Sequence, residues 1–271
     1  MSGFSAEWLG LREPADAAAR NRELIACVLD WRQRQGALTV LDLASGTGAN
    51  SRFLAPLLGG EQHWRLVDHD PALLAWSQQA MPSWANQTEQ CRLEWLNIDL
   101  VRDWERLDFQ GAQLVTASAL LDLVAADWLQ ALARRCGQVQ AAVYIVLSYA
   151  GDIAWQPARV GDEALREWVN RHQRTDKGFG PALGPDAVAT LATLLQQQGY
   201  RVKIRPSPWR LSSEQAAMQI ALLDGWIEAA LEIAPEAAGE LAFWLKQRRH
   251  WIECGQSRLQ IGHWDLWAWL D

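Results

Sequence analysis

The sequence predicts an α/β domain built on a mostly parallel sheet, and three observations carry that prediction. The stretch Leu38–Leu58, LTVLDLASGTGANSRFLAPLL, passes from an apolar β-branched run through a small-residue turn into an amphipathic segment: strand, tight turn, helix. Further strand-like runs alternate with helical patterns along the chain, which is the order of a sheet with crossover helices. Residues 141–147 are apolar almost without interruption, as a strand covered on both faces should be.

The turn reads as a nucleotide-binding turn. Gly46 and Gly48 let the backbone take positive φ and approach a ligand closely, while Thr47 and Asn50 are placed to serve the free N–H groups of the helix start. Charge selects the nucleotide. A dinucleotide puts its pyrophosphate on the helix N-terminus, where the acid at Asp42 is unfavourable. S-adenosylmethionine has no phosphate and brings a sulfonium and an ammonium, for which a carboxylate two residues before the turn is an asset. The segment Asp42-Leu-Ala-Ser-Gly-Thr-Gly48 resembles the first motif of the class I S-adenosylmethionine-dependent methyltransferases, with Ala44 standing where that motif has its first glycine. The resemblance implies a Rossmann-like seven-stranded sheet of order 3-2-1-4-5-7-6, strand 7 antiparallel, with helices on both faces. It implies S-adenosyl-L-methionine as cofactor, with Ala44, Ser45, Gly46, Gly48 and Asn50 around its methionine part.

Composition bounds the rest. At 271 residues the chain suffices for one large domain with a subdomain, read here as a single domain over residues 1–271 containing a helical insert at 207–256. A formal charge of −7 and a pI near 5.3 argue against a nucleic-acid footprint and favour a small-molecule partner. The four cysteines have no metal-ligand spacing, so reduced thiols in the cytoplasm and no metal site are expected. Neither a signal peptide nor a membrane-length apolar run is evident. The seventeen tryptophans, spread from Trp8 to Trp269 without a repeat, are read as packing residues, with an aromatic cage for a flat substrate as the sharper alternative.

In chain order, Pro14 is expected to start a helix running to about Gln35, with Arg12, Arg20 and Arg22 on or before it. The resemblance implies that this helix folds over the cofactor and that Arg20 pairs with the methionine carboxylate. A second strand, Trp64 to Asp68, is followed by His69 and by a helix at Pro71 that Asp70 caps. Asp68 lies 22 residues after Gly46, the spacing that sets a carboxylate beside both ribose hydroxyls. A third strand, 92–99, ends in Asp99 and Leu100, which hold the positions the resembled family uses for the adenine amino group and ring face.

The fourth strand, 112–116, opens into the loop that borders cofactor and acceptor in the resembled family, giving Ser118 to the cofactor wall and Asp122 to the acceptor or to a helix cap. From Ser148 to Pro185 the pattern loosens into a long loop, whose run 171–180 offers His172, Arg174 and Lys177 to an anionic acceptor. A helix from Pro185, an edge strand at 200–206 and a final strand at 257–263 complete the sheet. Between the last two strands, helices starting at Ser212 and Pro235 form the insert, read as a cap over the acceptor pocket or a dimer contact.

The leading function is methyl transfer to a small molecule by in-line displacement in a closed pocket, with Asp122, His172 and Tyr149 as candidates for a base. A nicotinamide-dependent reductase and a non-catalytic relative are the alternatives. Asp42, Ser51 in place of a third glycine, and Asp99 weigh against the reductase.

Overall fold

A computed structural model of the chain describes residues 4–80 and 90–271; the opening tripeptide and, among the tryptophans, Trp84 lie outside the described residues. Eight strands form one sheet of order β3-β2-β1-β4-β5-β8-β6, with the short β7 also pairing with β8. The parallel part comprises β1 (Leu38–Leu43), β2 (Gln62–Asp68), β3 (Cys91–Asn97), β4 (Leu114–Ser118) and the first half of β5 (Ala142–Gln156). β8 (Arg258–Trp269) runs antiparallel between β5 and β6 (Arg201–Pro206), so the expected order holds, with β8 as the expected seventh strand. The extra strand β7 (Trp209–Leu211) had no counterpart in the sequence reading.

The two faces of the sheet bury two cores. Leu38, Val40, Trp64 and Leu66 point to one side, under α1 (Ala6–Ala19), α2 (Arg22–Arg32), α3 (Ala49–Leu58) and the insert helices α8 (Ala216–Ile233) and α9 (Ala238–Glu253). Leu41, Leu43, Val67 and Val115 point to the other, under α5 (Ala126–Val139) and α7 (Ala187–Gln197). Alternate residues of the same strands feed both cores, which is why β1 and β5 read as continuous apolar runs. The helix at Pro71 is α4 (Pro71–Ala80).

Three segments depart from the sequence reading. The leading helix is two helices, with Pro14 inside α1 rather than at a start. The break falls where Asn21 accepts from Leu24 N at 3.1 Å as an N-cap while its own N–H goes to Asp265 at 2.9 Å, a long-range bond that outweighs helix continuity. β5 does not stop at Leu147. Bulges between Ile145 and Ser148 and between Tyr149 and Ile153, with Leu147 at φ +56° and Gly151 at φ +86°, carry it on as a strand with one solvated face. Finally, part of the supposed loop is α6 (Asp162–Gln173), a highly charged helix that buries only Leu165 and Val169, too sparse an apolar stripe to stand out.

The insert is tied down by one buried cation. The Arg248 side chain, 0% exposed, donates to Asp162 Oδ1 and Oδ2 at 2.5 and 2.6 Å and to Pro157 O at 2.7 Å, with the rings of Trp155, Trp244 and Trp251 within 5.0–5.5 Å of its guanidinium carbon. At the other end of the insert, Ser212 and Gln215 form the expected capping box. Arg248→Ala leaves the part-buried Asp162 without its counter-charge and empties the space among three tryptophans, so we expect urea denaturation to show a loss of about 2–4 kcal/mol.

Candidate functional site

The turn after β1 is shaped by the end of β2. Ser45 N donates to Val67 O at 2.9 Å, and Gly46 N donates to Asp68 Oδ2 at 2.8 Å. Ala44, Gly46 and Gly48 take φ of +49°, +53° and +79°, so the turn places three successive alternate residues in the left-handed region, and Ala44 does so with a Cβ. Gly48 caps α3 through its backbone alone.

Asn50 and Thr47 do not cap the helix. Asn50 instead donates to Asp42 Oδ1 at 2.8 Å and Thr116 Oγ1 at 3.1 Å, and accepts from Arg20 Nη2 at 3.0 Å. The Asn50 NH2 is taken by the enclosed Asp42 carboxylate and Thr116, and its oxygen by Arg20, so no acceptor of the side chain is left for the helix N–H groups. Asp42 is 0% exposed, its Oδ2 has no partner, and burial raises its pKa to about 7 despite the Asn50 bond and the nearby Arg20 charge.

The three strand-end acids converge. Asp42, Asp68 and Asp99 line a single cleft together with Ala44, Ser45, Gly46, Asn50, His69, Leu100 and Ser118. Asp68 also accepts from Asp70 N at 2.9 Å and lies 3.4 Å from His69 Nδ1. Asp99, two residues beyond the end of β3, accepts from Val101 and Arg102 N–H groups, and these bonds with the Arg102 charge outweigh partial burial to hold its pKa below the usual carboxylate value. Gly48 shapes the turn without lining the cleft.

Arg20 is the residue that stands apart. It sits behind Asn50, over the Phe53 ring, with Nε and Nη1 buried and unpaired, and it does not line the cleft. Arg12 does. One turn of α1 beyond Leu9, whose side chain covers Gly46, Arg12 is the only Arg or Lys on the cleft wall among the described residues. The split of the leading helix decides this: Arg20 falls at the junction of α1 and α2, whereas Arg12 lies on the α1 face turned to the cleft.

Past Ala119, Leu123 and Arg12 the cleft opens into a larger chamber of about 940 Å³ that includes all three candidate bases. Asp122 is buried, which raises its pKa against the contrary effect of its own backbone N–H and a long 3.5 Å contact from Tyr149 N. Burial also raises the pKa of Tyr149, whose hydroxyl donates to Asn170 at 2.9 Å. His172 closes on Glu232 of α8 at 3.0 Å, with Lys177 Nζ beside its ring. Arg174 pairs with Asp186 at 2.9 Å and does not reach the chamber. Trp209, which the sequence offers with Trp226, Trp244 and Trp251 as lining the insert's cap or a dimer contact, and His263, which it gives no role, line the chamber. For His263 the one signal is its inward parity with Ile261 in the final strand.

Residues 12–166 match the model of the family described as "Protein of unknown function (DUF938)". No curated protein matches the chain. Among solved structures, a cyclopropane synthase of Mycobacterium tuberculosis superposes with TM-score 0.53 at 12% identity, covering 97% of this chain and 94% of its own. The YcgJ protein of Bacillus subtilis gives 0.51 at 13% identity, covering 93% of this chain and 100% of its own. The phosphoethanolamine N-methyltransferase 2 of Haemonchus contortus, solved with S-adenosylhomocysteine, gives 0.50 at 13%, covering 100% of this chain and 59% of its own. The fold is that of the class I S-adenosylmethionine-dependent methyltransferases. Among the described residues no helix is long and apolar enough to cross a membrane.

The raised pKa of Asp42 sets a pH dependence. Because the folded state holds this proton more tightly than the unfolded chain, ionising Asp42 opposes folding; its contribution is most favourable below pH 4 and declines as pH rises to 7. Urea unfolding of wild type and Asp42→Asn should therefore differ little at pH 4, with the variant gaining by up to about 4 kcal/mol at pH 8.

Proposed function

This chain belongs to the family described as "Protein of unknown function (DUF938)", and we propose that it transfers the methyl group of S-adenosylmethionine to a small-molecule acceptor. The observation that carries the reading is the convergence of Asp42, Asp68 and Asp99 on one cleft around the glycine turn. Such a site suits a ligand with hydroxyls, an amino-bearing ring and positive charge, and it repels a pyrophosphate. The orphaned Oδ2 of Asp42, shut away from water, gains a partner when a cation arrives.

Under this proposal Asp68 receives the ribose hydroxyls, Asp99 the adenine amino group, and Leu100 the ring face. Ala44, Ser45 and Gly46 bring backbone close to the methionine part, and Arg12 takes the carboxylate role that the sequence reading gave to Arg20. When bound, S-adenosylmethionine supplies a methyl group on a sulfonium, which leaves as a neutral sulfide. The chain's part is alignment and exclusion of water. Ser118 and Ala119 end β4 at the junction of cleft and chamber, and Leu222 and Trp226 of α8 cover the chamber, so the insert acts as its cap.

Calorimetric titration tests this reading. The wild type should bind S-adenosylhomocysteine, and Asp68→Ala should weaken binding by about tenfold or more. Arg12→Ala should weaken S-adenosylhomocysteine by a similar factor while leaving methylthioadenosine, which has no carboxylate, unchanged. Binding of NAD without either adenosyl compound would overturn the proposal.

A further inference from the structure

The chamber beside the cleft has a wall whose polar groups ask for one kind of molecule. His263 is 6% exposed, and its Nδ1 donates to Ile261 O at 3.1 Å, which leaves Nε2 as an acceptor facing the chamber. Burial pushes its pKa down to about 3, so the ring is uncharged at any working pH. Asp122 offers a second acceptor. Tyr149 N contacts its Oδ1, no other residue among those described donates to its Oδ2, and the carboxyl lines the chamber.

Apart from the exposed Arg102 at the rim, 3.9 Å from Asp99, the cations near the chamber are engaged. His172 is held by Glu232, Lys177 by Thr175 at 3.0 Å and by the His172 ring, and Arg174 by Asp186. Arg12 is braced by Asp16 at 2.9 Å, with Asp16 in turn accepting from Trp209 Nε1 at 2.9 Å, and its guanidinium lies 5.2 Å from the Trp209 ring centre. Its charge reaches both Asp122 and His263. Among the acids of the lining, Asp176 accepts from Gly178 N and Gly180 N and Glu232 holds His172, so an anionic acceptor finds its cations committed. The Arg12 charge beside Asp122 and His263 opposes a cation at this wall and favours an oxygen that gains negative charge. Aromatic rings contribute to the lining beside aliphatic residues such as Leu222 and Ile261: Trp8, Tyr149, Trp209 and Trp226, with the Trp209 and His263 rings 4.5 Å apart.

Resting on the methyl-transfer reading, we propose that the acceptor is a neutral aromatic molecule with at least two hydroxyl groups, one oriented by His263 Nε2 and the other deprotonated by Asp122. The hydroxyl oxygen bonds to the methyl carbon, the carbon–sulfur pair stays with sulfur, and the hydroxyl proton passes to Asp122 Oδ2. His263 is the specificity residue and Asp122 the catalytic one. Two open acceptors beside aromatic rings match two donors on a flat ring.

The test titrates protein saturated with S-adenosylhomocysteine with dihydroxynaphthalenes, 2-naphthol, 2-naphthoic acid and 2-naphthylmethylamine, read by calorimetry. The best dihydroxynaphthalene should bind at least about tenfold tighter than the acid and the amine, and His263→Phe should reduce its affinity about tenfold, to that of 2-naphthol. His263→Gln, which keeps an acceptor, should restore it and serves as the readout if the Phe variant does not fold. Asp122→Asn should keep binding and slow S-adenosylhomocysteine release in turnover by at least about a hundredfold. Equal or tighter binding of the amine or the acid, or an unchanged affinity in His263→Phe, overturns the proposal. A wild type that does not bind S-adenosylhomocysteine at all fails the methyl-transfer reading instead.

Discussion

The hydrogen bonds of one buried amide hold the site together. Asn50 joins Asp42 on β1 to Thr116 on β4 and receives Arg20 from the junction of α1 and α2, while Thr116 passes the chain on to Tyr144 O at 2.7 Å on β5. Four elements are thereby fixed around a carboxylate that water does not reach. Burying an acid alone costs several kcal/mol, and here one amide and one guanidinium offset part of that cost, leaving an oxygen free on the side of the cleft. The network also explains why the turn needs no side-chain cap: the residue best placed to cap it is already committed.

From this centre the architecture divides the work. The parallel strands end on one side, and their acids make the narrow cleft. The bulged half of β5, β7 and β8 are antiparallel and twist away from it, opening a chamber that the insert roofs. α1 serves both compartments, since Leu9 closes the glycine turn and Arg12 stands where the two meet. Arg12 is rigid because Asp16 and Trp209 brace it, and Trp209 comes from a three-residue strand that exists only because β8 is long enough to pair with β5, β6 and β7 in turn.

Much of the cleft was legible in the sequence because strand-end acids and glycine turns are local signals. Asp42, Asp68 and Asp99 needed only the strand periods and the 22-residue spacing, and all three face the same space. The sheet order followed from the first motif through its family resemblance. What was not legible was set by contacts distant in sequence. Asn21 breaks the leading helix because Asp265, 244 residues away, takes its N–H. Bulges hid the second half of β5 by interrupting its period, and charge hid α6 by diluting its apolar stripe. Arg20 and Arg12 sit on the same amphipathic pattern, and only the position of the helix break tells which one reaches the cleft. His263 and Trp209 meet from separate strands, a pairing that no short motif announces.

A crystal structure grown with S-adenosylhomocysteine is the most direct measurement of the whole account. Ligand density should run along the glycine turn, with the ribose against Asp68, the adenine toward Asp99 and the amino-acid end between Asp42 and Arg12. Density bound in another part of the molecule, or a ligand that makes no contact with those three acids, would contradict it.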